Sequence, residues 1–159
     1  MTSYRILVVD DTRTTVDCIR DMLREGGYDV VQAFGGEEAL RTFQPGKFDL
    51  VITDVKMEPM TGVQLLERLR AQDADVPVIM MSAYHTIKAA AESLTLGAFD
   101  WLEKPFTLHD FQMTVNRALA YGRALKGVLD LKLLVGYYRR LGNLVVESRR
   151  MREVASVIM

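Results

Sequence analysis

One cysteine, one tryptophan, two histidines and four prolines are all that 159 residues hold of those types, and each scarcity excludes something. Cys18 stands alone, so no disulfide can form within the chain, and a reducing compartment suits it. His85 and His109 lack the spacing of a metal site and read as polar surface. No window approaches the roughly 18 apolar residues of a membrane span, and no basic segment leads into an apolar run at the N-terminus. A cytoplasmic chain without membrane contact is expected. No Gly-x-x-x-x-Gly-Lys-Ser/Thr loop and no terminal helix-turn-helix pattern occur, so ATP hydrolysis and DNA binding are not expected of this chain itself.

What is present is apolar material for a full core: 49% of the residues are hydrophobic, and one domain plus a tail is the natural reading. The nine methionines read as core filling. The net charge of −1 hides an asymmetry. Residues 1–122 carry 12 Lys and Arg against 18 Asp and Glu, whereas residues 123–159 carry 8 against 3. A basic tail can touch nucleic acid or an anionic surface, but a solvated helix face accounts for it more simply, and no direct nucleic-acid binding is expected.

Short β-branched runs alternate with longer amphipathic stretches. Tyr4–Val9, Tyr28–Ala33, Phe48–Thr53, Val76–Met81 and Phe99–Glu103 read as strands, the middle ones apolar enough to be buried on both faces. Thr12–Glu25, Gly36–Phe43, Thr61–Ala71 and Thr86–Leu96 read as helices, with Thr12 a candidate cap for the first. Gly26-Gly27, Pro45-Gly46, Pro77 and Gly97 punctuate the pattern. Repeated strand-then-helix units imply a doubly wound parallel α/β sheet with right-handed crossovers, whose ligand site lies beyond the C-terminal strand ends. Asp10, Asp11, Asp54, Ser82 and Lys104 all fall at or just past such ends.

That convergence suggests chemistry. A carboxylate attacks a phosphorus atom only if its own charge and that of the phosphoryl group are offset by a cation. Asp54 is the candidate nucleophile, Asp10 and Asp11 would hold the cation, and Lys104 would add a fixed positive charge. Taken singly, each residue has a plainer reading: an Asp-Asp pair after a strand caps a helix, a Lys-Pro makes a turn, and an Asp ending a strand caps a loop. Those readings must hold independently at four places at once.

In order and spacing, Asp10-Asp11, Asp54, Ser82-Ala83 and Lys104-Pro105-Phe106 resemble the acidic pair, phosphoacceptor, hydroxyl position and lysine-proline pair of two-component response regulator receiver domains. The resemblance covers residue 4 to about 121. It implies a flavodoxin-like (CheY-like) five-stranded parallel sheet in the order 2-1-3-4-5. It also implies a sensor histidine kinase as phosphoryl donor to Asp54, and Mg²⁺ bound by Asp11, Asp54 and the carbonyl of Lys56, with Asp10 acting mainly through water. Lys104 and Ser82 would hold phosphoryl oxygens. Ser82 and Trp101, the aromatic three residues before the lysine, would form the switch, read out on the face of the fourth helix, fifth strand and fifth helix. The chain would then be a phosphoacceptor and no enzyme in its own right. One departure from the family pattern concerns Asp54-Val55-Lys56-Met57-Glu58-Pro59-Met60-Thr61-Gly62: Glu58 stands where proline commonly follows Met57, which implies a different loop path and an extra carboxylate near the pocket.

From Leu108 a helical pattern runs on past the sheet. Phe111, Val115, Tyr121, Leu125, Val128, Leu131, Leu134, Tyr138, Leu141 and Val145 recur mostly three or four apart, and a stripe of that length needs a partner. Gly122, Gly127, Gly136 and Gly142 each weaken an isolated helix by about 1 kcal/mol relative to alanine, which favours a helix paired across a homodimer over a free one. Folding back on its own domain is the alternative. Gly97 to Phe106, Glu147-Ser148 and Met151-Arg152-Glu153-Val154 are similar to NtrC/DctD-type activators of sigma-54 RNA polymerase. The organisation so implied is a receiver at 1–121, a dimerising helical linker at 122–146, and at 147–159 the start of a central ATPase domain or a disordered tail. The ATPase and DNA-binding domains would lie in a longer chain. Two other functions stay in view: a stand-alone receiver that binds a protein when phosphorylated, and an aspartyl-phosphate phosphatase of the haloacid-dehalogenase type, which would need an Asp-x-Asp motif after its first strand where this chain has adjacent aspartates.

Overall fold

Ile6 to Val9, Leu50 to Ile52 and Val78 to Met81 are each fully buried, the condition under which a strand reads as an unbroken apolar run. The computed structural model describes residues 3–83 and 87–144. It contains β1 (Arg5–Val9), α1 (Arg13–Glu25), β2 (Asp29–Ala33), α2 (Gly36–Thr42), β3 (Leu50–Asp54), α3 (Gly62–Gln72), β4 (Val78–Ser82), α4 (Ile87–Thr95), β5 (Asp100–Glu103) and α5 (Leu108–Leu144). The five strands form one sheet in the order β2-β1-β3-β4-β5, every pair parallel, as the alternation implied.

Two apolar layers sandwich the sheet. On one face Leu7, Val9, Val51, Val78 and Met80 pack with Ala39 of α2 and Leu65, Leu66 and Leu69 of α3. On the other, Ile6, Val8, Leu50, Ile52, Ile79 and Met81 pack with Val16, Ile19 and Leu23 of α1 and with Phe111, Val115, Ala118 and Leu119 of α5. Each fully buried Val, Leu, Ile, Met or Phe among them contributes about 1.5–3 kcal/mol of transfer free energy. Successive strand residues serve opposite layers, so a one-residue slip would exchange the two cores.

Strand ends differ from the expected ones in a consistent direction. β3 and β4 begin two residues later than expected and end one residue later, so that Asp54 and Ser82 are the last residues of their strands. The apolar run marks where side chains are buried, whereas the backbone ladder continues: Val55 N–H donates to the Met81 carbonyl at 2.9 Å and Lys104 N–H to the Ser82 carbonyl at 2.7 Å. Thr12 does occupy the N-cap of α1, but its side chain makes no capping bond. Thr61 does cap α3, in a reciprocal box with Gln64.

Arg70 ties the open ends of three segments together. Its guanidinium donates to the Gly97 carbonyl at 2.7 and 3.2 Å, to the Val76 carbonyl at 2.5 Å and to the Asp73 carbonyl at 3.3 Å. Burial pulls its pKa down, against Asp73. Gly97 has φ +98°, and a Cβ there would lie 2.9 Å from Arg70 Nε.

Contacts divide the chain into a compact unit Met1–Gly122 and a second unit from Arg123 onward. α5 is one helix of 37 residues. In its later part Val128, Leu131 and Leu134 are 49%, 51% and 44% exposed, so this portion of the stripe is open on the single chain. Val145 and the segment 147–159 lie outside the described residues, as do the side chains of Tyr138 and Leu141. No helix among the described residues is long and apolar enough to cross a membrane.

Arg70→Ala removes four hydrogen bonds, two of them to the partly buried carbonyls of Asp73 and Val76, and is expected to lower stability by about 1–3 kcal/mol. Urea unfolding is the check, and the midpoint should fall while the slope stays constant.

Candidate functional site

The C-terminal ends of β1, β3 and β5 bring three carboxylates and one ammonium together. Asp10 N–H donates to the Ala33 carbonyl at 3.2 Å, which holds the end of β1 against β2. Both of its carboxylate oxygens are engaged: Oδ1 accepts from Thr12 N–H at 2.9 Å and Oδ2 from Lys104 Nζ at 3.0 Å. Asp10 is therefore half of what the helix-cap reading describes, since one oxygen does turn the chain into α1. Lys104 Nζ also lies 3.2 Å from Asp54 Oδ1. Asp10 and Asp54 are buried, Asp11 is exposed, and one carboxylate oxygen from each of the three falls within 4.8 Å of the others.

The electrostatics are unbalanced. Burial raises the pKa of Asp54 above 3.8, and the charges of Asp10 and Asp11 add to that, against the charge and hydrogen bond of Lys104. Burial alone would lower the pKa of Lys104, but its hydrogen bond to Asp10 and the charge of Asp54 outweigh this and raise it. One ammonium thus pairs with two of the three carboxylates. Oxygen donors at this spacing, short of positive charge, suit a hard divalent cation.

Ser82 is buried at the end of β4, and its carbonyl is bound by Lys104 N–H. Trp101 pairs in register with Met80 and packs against the layer holding α2 and α3. It lies three residues before Lys104 and is not among the acidic cluster. Lys56 is exposed, two residues past Asp54.

The loop after β3 resolves what Glu58 does. Met57 and Met60 are buried in the core layer, while Glu58 and Pro59 between them are exposed. Glu58 is exposed and is not one of the three clustered carboxylates. The Glu58–Pro59 and Lys104–Pro105 peptides are both cis.

Three supporting residues were not read from the sequence. A Cβ on Gly62 would run into the Asp54 carbonyl oxygen and sit 2.8 Å from Val55 Cα, so only glycine lets α3 begin there; Gly62 N–H closes the loop on the Val55 carbonyl at 2.8 Å. Thr53 is fully buried and its hydroxyl donates to the Asp54 carbonyl at 3.0 Å. Gly36 lets Met60 in, since a Cβ there would fall 2.7 Å from its sulfur. The glycine eight residues after Asp54 was a visible signal, but its necessity depends on a backbone approach that no sequence pattern records.

A doubly wound sheet with three clustered carboxylates and one lysine at its C-terminal edge defines the class of fold to which the chain is compared. Residues 6–116 match the response regulator receiver domain, and the chain belongs to that family. It is 38% identical over 120 residues to the transcriptional regulatory protein ZraR of Escherichia coli, covering 76% of this chain and 27% of ZraR. It is 32% identical over 154 residues to the regulatory protein AtoC of the same species, covering 94% of this chain and 32% of AtoC. The chain therefore spans about a third or less of these relatives. Among solved structures, NtrX from Brucella abortus superposes with a TM-score of 0.76 at 29% identity, over 82% of this chain and 30% of NtrX. The chemotaxis protein CheY4 of Vibrio cholerae does so with 0.70 at 32%, over 74% of this chain and all of CheY4 (100%).

Removing the Asp54 charge should relieve the pocket. In a chelator at neutral pH, Asp54→Asn is expected to raise Tm by about 2–5 °C. The sign follows from the raised pKa: the favourable contribution of the neutral carboxyl is complete below 3.8 and is lost as pH rises through the folded-state value. The gap between variant and parent should therefore close as pH falls toward about 4, which thermal melts at several pH values would test.

Proposed function

We propose that Asp54 accepts a phosphoryl group from a phosphohistidine on a sensor kinase, and that this chain is the switch of a two-component system. The observation that carries the reading is the shared ammonium: Lys104 lies 3.0 Å from Asp10 and 3.2 Å from Asp54 within one cluster of three carboxylates.

An Asp54 carboxylate oxygen attacks phosphorus in line with the leaving group. The oxygen–phosphorus bond forms as the phosphorus–nitrogen bond breaks, and the electron pair stays on the imidazole nitrogen, which takes up a proton. Mg²⁺, when bound, neutralises charge on the phosphoryl oxygens and the acceptor. Asp11 and Asp54 would hold it directly, with the Lys56 carbonyl. Asp10 has both oxygens committed within the protein and acts through water. Lys104 exchanges its contact with Asp54 for a phosphoryl oxygen, and the Ser82 hydroxyl donates to another; such charge-assisted bonds are about twice as strong as neutral ones.

The output is a change of packing around β5. Ser82 closes toward the phosphate and Trp101 turns inward, which alters the face of α4, β5 and α5 and biases one of two arrangements. Residues 1–121 form the receiver, and residues 122–146 form a linker that dimerises through Val128, Leu131 and Leu134. Residues 147–159 begin an ATPase domain of a longer sigma-54-type activator acting in the cytoplasm. The likeness to AtoC over 154 residues, which runs well past the receiver, supports this assignment.

A low-molecular-weight phosphodonor in Mg²⁺ should label the chain at one site, and Asp54→Asn should lose the label while keeping its circular dichroism. Label retained on that variant would refute the acceptor assignment. Sedimentation velocity with and without beryllofluoride, a phosphoryl mimic, should show a larger or more compact species that Asp54→Asn does not form.

A further inference from the structure

Among the described residues, two side-chain polar atoms are buried without a hydrogen-bond partner: Ser93 Oγ and Trp101 Nε1. Ser93 is fully buried and is the inward-facing residue of the second half of α4, where Glu92, Leu94 and Thr95 are exposed. Trp101 is on β5, on the side of the sheet that carries Met80 and the α2–α3 layer. Parallel strands β4 and β5 joined through α4 by a right-handed crossover place α4 on that same face. Both unsatisfied donors therefore belong to one layer, between α4 and the edge strand. The helix is tied to the chain leading into β5 by Ala98 N–H, which donates to the Ser93 carbonyl at 2.9 Å.

A buried donor without an acceptor disfavours the arrangement that contains it, and a change that supplies the acceptor is favoured by the same amount. We infer that Ser93 is a positioning residue of the switch: together with the Trp101 indole it destabilises the resting packing of α4 on β5. In the alternate packing, the Ser93 hydroxyl and the Trp101 N–H gain partners. The pair thus sets how readily the acceptor site drives the change, although Ser93 touches neither the carboxylates nor the lysine. This inference rests on the receiver reading of Asp54 and Trp101 and extends it to α4.

Trp101 is the only tryptophan in the chain, so its emission reports this layer alone. The full chain in Mg²⁺ is titrated with beryllofluoride while emission and thermal stability are followed, for the parent, Ser93→Ala and Ser93→Cys. Cysteine fills the site with a somewhat larger group that behaves as a small apolar residue, which separates the hydroxyl from cavity effects. Both variants should raise the Tm of the unliganded chain by about 2–5 °C. Both should also move the emission midpoint to roughly fivefold higher beryllofluoride, because a more stable resting state lowers the competent fraction. A lowered Tm in both variants, or a midpoint equal to the parent's, overturns the role of Ser93. A thermal shift in the parent without any emission change overturns it as well, leaving the acceptor site standing. Absence of both responses in the parent brings down the acceptor reading, and the role of Ser93 with it.

Discussion

The site depends on one ammonium held between two buried carboxylates. Lys104 reaches Asp10 and Asp54 from the end of β5, across the full width of β4 and β3, and only the parallel register of five strands sets that distance. Without Lys104 the two buried aspartates would face each other with Asp11 alongside, an arrangement that resists ionisation. With it the pocket is still short of positive charge, and that shortfall suits the site to a divalent cation and, under the proposed function, to a phosphoryl group. Stability and function pull in opposite directions at this point. The resting pocket is the costly part of the fold, and the two apolar layers offset it.

The same opposition recurs on the far face. Arg70 satisfies three carbonyls where α3, β4 and the turn before β5 meet, so the route into β5 is firmly tied. On either side of that turn, Ser93 Oγ and Trp101 Nε1 are buried without hydrogen-bond partners. Under the proposed role of Ser93, unsatisfied packing beside a firm connection biases α4 and β5 toward a second arrangement.

The fold was legible because its signals are local. Apolar runs such as Leu50 to Ile52 and Val78 to Met81 mark central strands directly, and amphipathic stretches between them mark covering helices. The positions of Asp10, Asp54 and Lys104 at strand ends then followed from topology. The loop around Glu58 was not legible. Its exposure depends on Met57 and Met60 both finding core positions, and Met60 finds one because Gly36 of α2 has no side chain.

By itself the sequence determined the order of elements, the acidic and lysine residues at the sheet's edge, and the long apolar stripe of α5. All of these are written in periodicity and spacing along the chain. Tertiary structure alone decided which oxygens of Asp10 are occupied, how Lys104 is shared, why Gly62 admits no side chain, and which polar atoms are left unsatisfied between α4 and β5. Those are properties of distances between segments remote in sequence. A difference of one ångström decides whether a donor meets an acceptor, and only the packed molecule sets it.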